Sequence, residues 1–241
     1  MIRATGIGIS FKLKKQRRIG AQDAVMRLFS RNHTSERFWA LKDVNLEVAA
    51  GETLGVIGPN GSGKSTLLRI LAGIYLPDEG SVTVEGKIST LLSSTAGFQS
   101  DLTGIENIYM SGVLMGFDKT AIGKRLSKIV EYSELGDWVN QPVRTYSSGM
   151  YTRLGFSVAV HADGDVLLID EVLGAGDASF AEKARETMAG LLREGRTVVL
   201  VSHGMEAIRK FSNRVRWLRS GSVVMIGDTN EVVNAYTAGG V

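Results

Sequence analysis

Three observations predict an α/β fold for this 241-residue sequence. Residues 165–169 (DVLLI) and 197–201 (TVVLV) are apolar runs with almost no polar face, as strands covered on both sides require. Between them Ala184, Met188, Leu191 and Leu192 recur at helical spacing, and strands alternating with helices build an α/β core. The third observation is a glycine-rich segment, residues 58–66, set between an apolar run and a leucine-faced helix.

The elements follow in order. Residues 2–11 (IRATGIGISF) read as a strand, residues 12–18 as a basic loop, and residues 21–30 as a short amphipathic helix. Leu41, Val44, Leu46 and Val48 are interleaved with polar residues, the pattern of a half-buried strand. A turn over residues 49–52 leads into the apolar run 53–57. The helix expected over 64–72 carries Leu67, Leu68 and Leu71 on one face, and Gly73 stands where a C-cap belongs. Residues 77–80 (PDEG) read as a turn and 81–85 as a strand. From about residue 100 to 157 the pattern changes: Ile122, Leu126, Ile129 and Val130 mark a mostly helical insertion. Residues 215–226 read as a hairpin turning at Ser220-Gly221.

Composition narrows the function classes. The sequence is 44% hydrophobic and 22% charged, an ordinary globular balance. It has no cysteine and three histidines, which argues against disulfide frameworks and thiolate or histidine-rich metal sites. A net charge of +3 is too small to argue for nucleic acid as a partner. The first residues place their basic run after the apolar stretch, unlike a secretory signal, and no window reaches the length of a membrane span. A cytosolic or peripheral protein is expected, with any membrane-spanning part supplied by another chain.

GPNGSGKST contains G-x-x-x-x-G-K-[ST] at Gly58, Gly63, Lys64 and Ser65. Glycines let successive backbone N–H groups curl around an anion, and the following helix adds its positive end. Gly58, Pro59, Asn60, Gly61, Ser62, Gly63, Lys64, Ser65 and Thr66 are therefore read as the binding loop for ATP. Lys64 supplies a point charge for the β- and γ-phosphates, and the Ser65 hydroxyl a ligand for Mg²⁺. Downstream, the run DVLLI ends in Asp170-Glu171, two carboxylates at the mouth of a buried strand, where open α/β sheets bind ligands. Asp170 suits the Mg²⁺ shell, and Glu171 suits a base that polarises the attacking water. The alternative is a solvated acidic pair.

Two further strings, YSSGMYTRLGFS (residues 146–157) and Val201-Ser202-His203, join the phosphate loop and LLIDE. Together they resemble the ATPase subunits of ABC transporters over nearly the whole chain. Ser147, Ser148 and Gly149 match the signature stretch, departing from its common LSGGQ form. Gln99 matches the Q-loop glutamine, His203 the switch histidine, and Gly176-Asp177 the D-loop. Each piece is weak alone; their order is not. YSSGM, GFQSDLTGIENI, LIDEVLGAGD and RFWALKDVNLEV further resemble the ATPases that export bacterial O-antigen, capsule and teichoic acid. Some of those carry an added C-terminal carbohydrate-binding domain; ending at Val241, this chain is expected to lack room for one.

The resemblance implies a P-loop NTPase core of the ABC ATPase type, with an antiparallel β subdomain and a helical subdomain. A single domain is expected over 1–241, its core in 1–98 and 158–241 and its helical part in 99–157. It also implies a homodimer joined head to tail, Ser147 to Gly149 of one copy facing the phosphate loop of the other, beneath a separate transmembrane permease. The chain would associate peripherally with the cytoplasmic face of the membrane and bind no nucleic acid. Catalysis would fall to Glu171, His203 and Gln99, with Ser65, Asp170 and Gln99 near the metal. Phe38-Trp39 lie where the family stacks an aromatic on adenine; Trp39 is the candidate, and simple strand packing is the alternative. The basic residues Lys12, Lys14, Lys15, Arg17 and Arg18 are read as a solvated loop, or as a contact to anionic lipid. Glu106 and Asn107 stand where family members dock their membrane partner. A soluble ABC ATPase of repair or chromosome type would need coiled-coil insertions, and no sustained heptad run exists. Translation types carry two cassettes. An importer or drug-exporter subunit is set apart only by the subfamily-like strings.

Overall fold

The computed structural model describes residues 1–12, 37–91, 98–162, 164–170 and 178–239. Its larger sheet has the order β5-β6-β7-β3-β8-β9. The strands β3 (Thr53–Ile57), β5 (Ile88–Leu91), β6 (Val166–Asp170), β7 (Thr197–Val201) and β8 (Arg214–Arg219) run parallel, and β9 (Ser222–Asp228) pairs antiparallel at one edge. The period of two explains the apolar runs: Val166 and Leu168 enter one core, Leu167 and Ile169 the opposite one. β3, β6 and β7 are buried along their whole length, because both of their faces are covered.

On the first face lie α1 (Lys64–Leu71) and a second, antiparallel sheet of order β2-β1-β4. Its strands are β1 (Ile2–Lys12), β2 (Arg37–Val48) and β4 (Glu79–Val84). Leu67, Leu68 and Leu71 are buried there, each worth about 1.5–3 kcal/mol over exposure. β4 begins two residues before the expected strand, because Glu79 already pairs with Gly8. In β2 the inward phase changes between Leu41 and Val44, around Asp43, whose φ of 49° breaks the regular pleat.

A helical region packs around its own core of Ile108, Ile122, Ile129, Leu154 and Val158. It contains α2 (Gly104–Leu114), α3 (Lys119–Ser133) and α4 (Ser148–His161). Its helices start where side chains replace missing helical partners. Thr103 and Glu106 form a capping box on α2, Asp118 accepts from the Thr120 amide, and Ser147 accepts from the Met150 amide at 3.2 Å. The opposite face of the large sheet is covered by α5 (Ala178–Arg193), α6 (Met205–Phe211) and α7 (Thr229–Gly239) together with α4. Among the described residues no helix is long and apolar enough to cross a membrane. The helix expected over 21–30, most of the basic run 12–18, Glu171 and Gly176-Asp177 lie outside the described residues.

Candidate nucleotide site

The chain leaves β3 at Gly58, whose φ is 149°. A Cβ there would stand 2.1 Å from the Leu218 carbonyl oxygen, so bare backbone alone can pass beneath the end of β8. Gly63 caps α1 in a left-handed conformation and turns the N-terminal end of that helix toward the loop. The Lys64 ammonium, 6% exposed, donates to the carbonyls of Gly58 at 2.8 Å and Pro59 at 2.9 Å. That clasp bends the loop into a hoop and holds a buried cation beside the helix N-terminus, an anion-binding arrangement. The hairpin turn between β8 and β9 braces the loop from outside: the Gly221 amide donates to the Ser62 carbonyl at 3.1 Å.

The loop floors a cleft of about 300 Å³. Its lining comprises Asn60, Gly61, Ser62, Gly63, Lys64, Ser65 and Thr66, with Asp170, His203, Phe11, Phe38 and Ala40. Register explains the convergence. Asp170 pairs with Val201, and Val201 with Val56, so β6, β7 and β3 end level with one another. Neighbouring strands lie ~4.8 Å apart, which sets Asp170 about 10 Å across from the root of the phosphate loop. Asp170 is 4% exposed. His203 follows β7 after a bend in which the Ser202 hydroxyl accepts the Gly204 amide at 3.0 Å. Hard oxygen donors from Ser65 and Asp170 face the same cleft, a set that fits Mg²⁺ completed by water and phosphate oxygens. Among the described residues no group of three or more His, Cys, Asp or Glu forms a protein-only metal cage.

Trp39, the aromatic candidate, lies outside this lining. Phe38 and Ala40, two residues apart on β2, share the face that lines the cleft, whereas Trp39 points the other way. Its indole lies against Gly8, with Cζ3 3.0 Å from where a Cβ of that glycine would be. Phe38, 50% exposed, is the aromatic available to a bound ring, with its cross-strand neighbour Phe11 beside it. Phe11 and Ala40 escaped the sequence reading, since only the β1–β2 pairing reveals them.

Gln99 and the signature stretch lie outside the cleft lining. Gln99 is exposed, and its backbone amide donates to the Asn107 carboxamide oxygen at 2.7 Å. Ser147 and Ser148 are exposed at the start of α4, and a Cβ at Gly149 would meet only the Ser147 hydroxyl, at 3.8 Å. The signature backbone is thus open to approach from outside.

Comparison with known proteins adds to this geometry. Residues 41–174 match the family model described as ABC transporter. The chain is 44% identical over 197 residues to the O-antigen export system ATP-binding protein RfbB of Myxococcus xanthus, covering 82% of this chain and 45% of that protein. It is 44% identical over 199 residues to the teichoic acids export ATP-binding protein TagH of Shouchella clausii, covering 83% and 55%. An O-antigen export system ATP-binding protein of Klebsiella pneumoniae is 40% identical over 200 residues, covering 83% of this chain and 81% of that protein. The chain thus spans about half the length of the first two relatives and most of the third. The ATP-binding cassette MJ0796, in a dimeric post-hydrolysis state bound to ADP and Pi, superposes with a TM-score of 0.76 at 24% identity, covering 95% of this chain and 99% of that one.

Proposed function

Because the chain belongs to the ABC transporter family, we propose that it is the ATP-hydrolysing subunit of an exporter of lipid-linked cell-surface polysaccharide. It works as a homodimer with a separate transmembrane permease, at the cytoplasmic face of the cell membrane. One observation carries the nucleotide chemistry: the phosphate loop, Asp170 and His203, from the ends of three adjacent strands, line one cleft. The export of a glycan rests on the names of the O-antigen and teichoic acid relatives.

The reaction follows from positions. Lys64 and the first turn of α1 bind the triphosphate, and Phe38 offers its face to the base. Ser65 and Asp170 would hold Mg²⁺, which would supply charge neutralisation for the phosphates. Water attacks the γ-phosphorus, the bond to the β,γ-bridging oxygen breaks, and ADP leaves. Glu171 takes the water proton, while His203 contacts the γ-phosphate and Gln99 enters as the helical region closes. Ser147, Ser148 and Gly149 of a second copy complete the site, which explains why they stand exposed and remote from their own cleft. Closure is a population shift paid by contacts made only in the closed dimer.

The Glu171→Gln variant tests this reading. With ATP it should run as a dimer by light scattering and barely turn over; without ATP it should be a monomer. A variant that hydrolyses ATP at the normal rate removes Glu171 from its role. Co-purification with a permease from membranes, and lipid-linked glycan retained inside cells carrying Lys64→Ala, test the export assignment. Surface glycan at normal level in those cells overturns it.

A further inference from the structure

We propose that Asn107 is a positioning residue for Gln99, holding the backbone of that residue so that its side chain can enter the nucleotide site on closure. This rests on the role given to Gln99 above. Asn107 is fully buried in the first turns of α2, a place where an uncharged amide needs complete satisfaction. Its Oδ1 accepts the Gln99 amide at 2.7 Å, and the two N–H groups of its Nδ2 are shared among the carbonyls of Gln99 at 3.0 Å, Leu102 at 3.1 Å and Thr103 at 3.0 Å. The carboxamide thus grips both polar backbone groups of Gln99, as a neighbouring strand would.

The rest of the segment is held by other means. The Ser100 carbonyl accepts the Arg144 amide at 2.9 Å, the Leu102 carbonyl accepts the Val143 amide at 2.9 Å, and Asp101 pairs with Arg144 at 2.7 Å. Thr103 is fixed by the capping box with Glu106. The Gln99 carbonyl has one further donor, the Leu102 amide at 3.2 Å. Loss of the Asn107 amide therefore loosens Gln99 far more than residues 100–103. A residue that acts through Gln99 must lose its effect once Gln99 has no amide to position.

The experiment is a double-mutant cycle on the full chain, reading nucleotide affinity and ATP turnover for Asn107→Leu, Gln99→Ala and the pair. Asn107→Leu is near isosteric and removes every contact of the carboxamide; Asn107→Ser repeats the cycle should that variant fail to fold. The expected result is a kcat about tenfold lower with nucleotide Kd within about twofold of normal, and a further loss under about twofold when Gln99 is already alanine. Equal loss in both backgrounds, or affinity and turnover falling together, makes Asn107 a fold residue only and overturns the proposal. Normal turnover in Gln99→Ala alone overturns the role of Gln99, and the positioning proposal with it.

Discussion

Gly58 and Gly61 sit in one loop for different reasons, and alanine at each separates them. At position 58 the added methyl carbon would stand 2.1 Å from the Leu218 carbonyl oxygen, inside ordinary contact by more than 1 Å. That oxygen belongs to strand β8, so no rotamer change relieves the overlap. The φ of 149° adds strain for any L side chain. Overpacking costs about 1–3 kcal/mol and backbone strain about 1–3 kcal/mol, so Gly58→Ala should lose about 2–6 kcal/mol of stability. At position 61 φ is 76°, yet among the described residues nothing lies within 4 Å of the added carbon. Only the strain remains, about 1–3 kcal/mol. Urea unfolding of both variants without nucleotide measures the difference. The methyl at position 61 instead faces the cleft, where it should weaken nucleotide binding. Wild-type protein gains about 2.7 kcal/mol from nucleotide at a hundred times its Kd, and Gly61→Ala should gain less at the same concentration. Equal losses without nucleotide, or a Gly58→Ala protein as stable as wild type, would refute the close approach of the loop to β8.

Two further outcomes follow from named contacts. Phe38→Ala should weaken ATP binding by roughly tenfold or more, since stacking on a base is worth about 1–3 kcal/mol, while Trp39→Ala should leave affinity nearly unchanged; fluorescence titration with a nucleotide analogue decides, and the reverse order returns the stacking role to Trp39. His161, packed edge-on to Tyr132, has its pKa held below the ordinary 6.5, first by burial and then by Lys128, Arg125 and Lys183, against the raising bond to the Ser157 carbonyl. The unfolded chain therefore takes up this proton first as pH falls, so the contribution is full above about pH 6.5 and shrinks as pH drops through that value toward the folded pKa. His161→Gln should flatten the fall in stability between about pH 7 and pH 5, and an unchanged slope in urea titrations would place the pH dependence elsewhere.

Local chemistry was legible and pairing was not. The run 197–201, the leucine face of α1 and the Ser220-Gly221 turn are written within a few residues each, and the structure places them as read; the strand read at 165–169 runs one residue later, over Val166–Asp170, and the helix read to 72 ends at Leu71 with Ala72 as its cap, Gly73 following in a left-handed conformation. β5, with four residues, and α6, with seven, are too short for periodicity to show, and α7 was missed although it buries Val232 and Val233. Which of Phe38 and Trp39 lines the cleft was hidden for a subtler reason. The phase of β2 changes around Asp43, and the β1–β2 register shifts between Ile9 and Ser10, so alternation carried back from Leu41 to Val48 does not say which neighbour faces the cleft. The grip of Asn107 on Gln99 was also hidden, because an asparagine in a helical run carries no mark of which backbone groups it will meet.

The split of the site has an electrostatic consequence for how the proposed dimer closes. The phosphate loop presents the buried Lys64 and the positive end of α1. The signature stretch presents the positive end of α4, where the Ser147 hydroxyl accepts the Met150 amide and the Ser147 carbonyl the Tyr151 amide. Brought together without ligand, two positive helix ends and an ammonium repel across a desolvated gap. A triphosphate between them reverses the sign of every one of those terms. Closure is then governed by the charge of the bound nucleotide more than by apolar burial, and ADP, which lacks the γ-phosphate that both halves would share, leaves the same surfaces without their bridge. In the proposed dimer hydrolysis would open the interface by removing the anion that held it shut, and the exposed Ser147 and Ser148 would make that reversal available to a second copy.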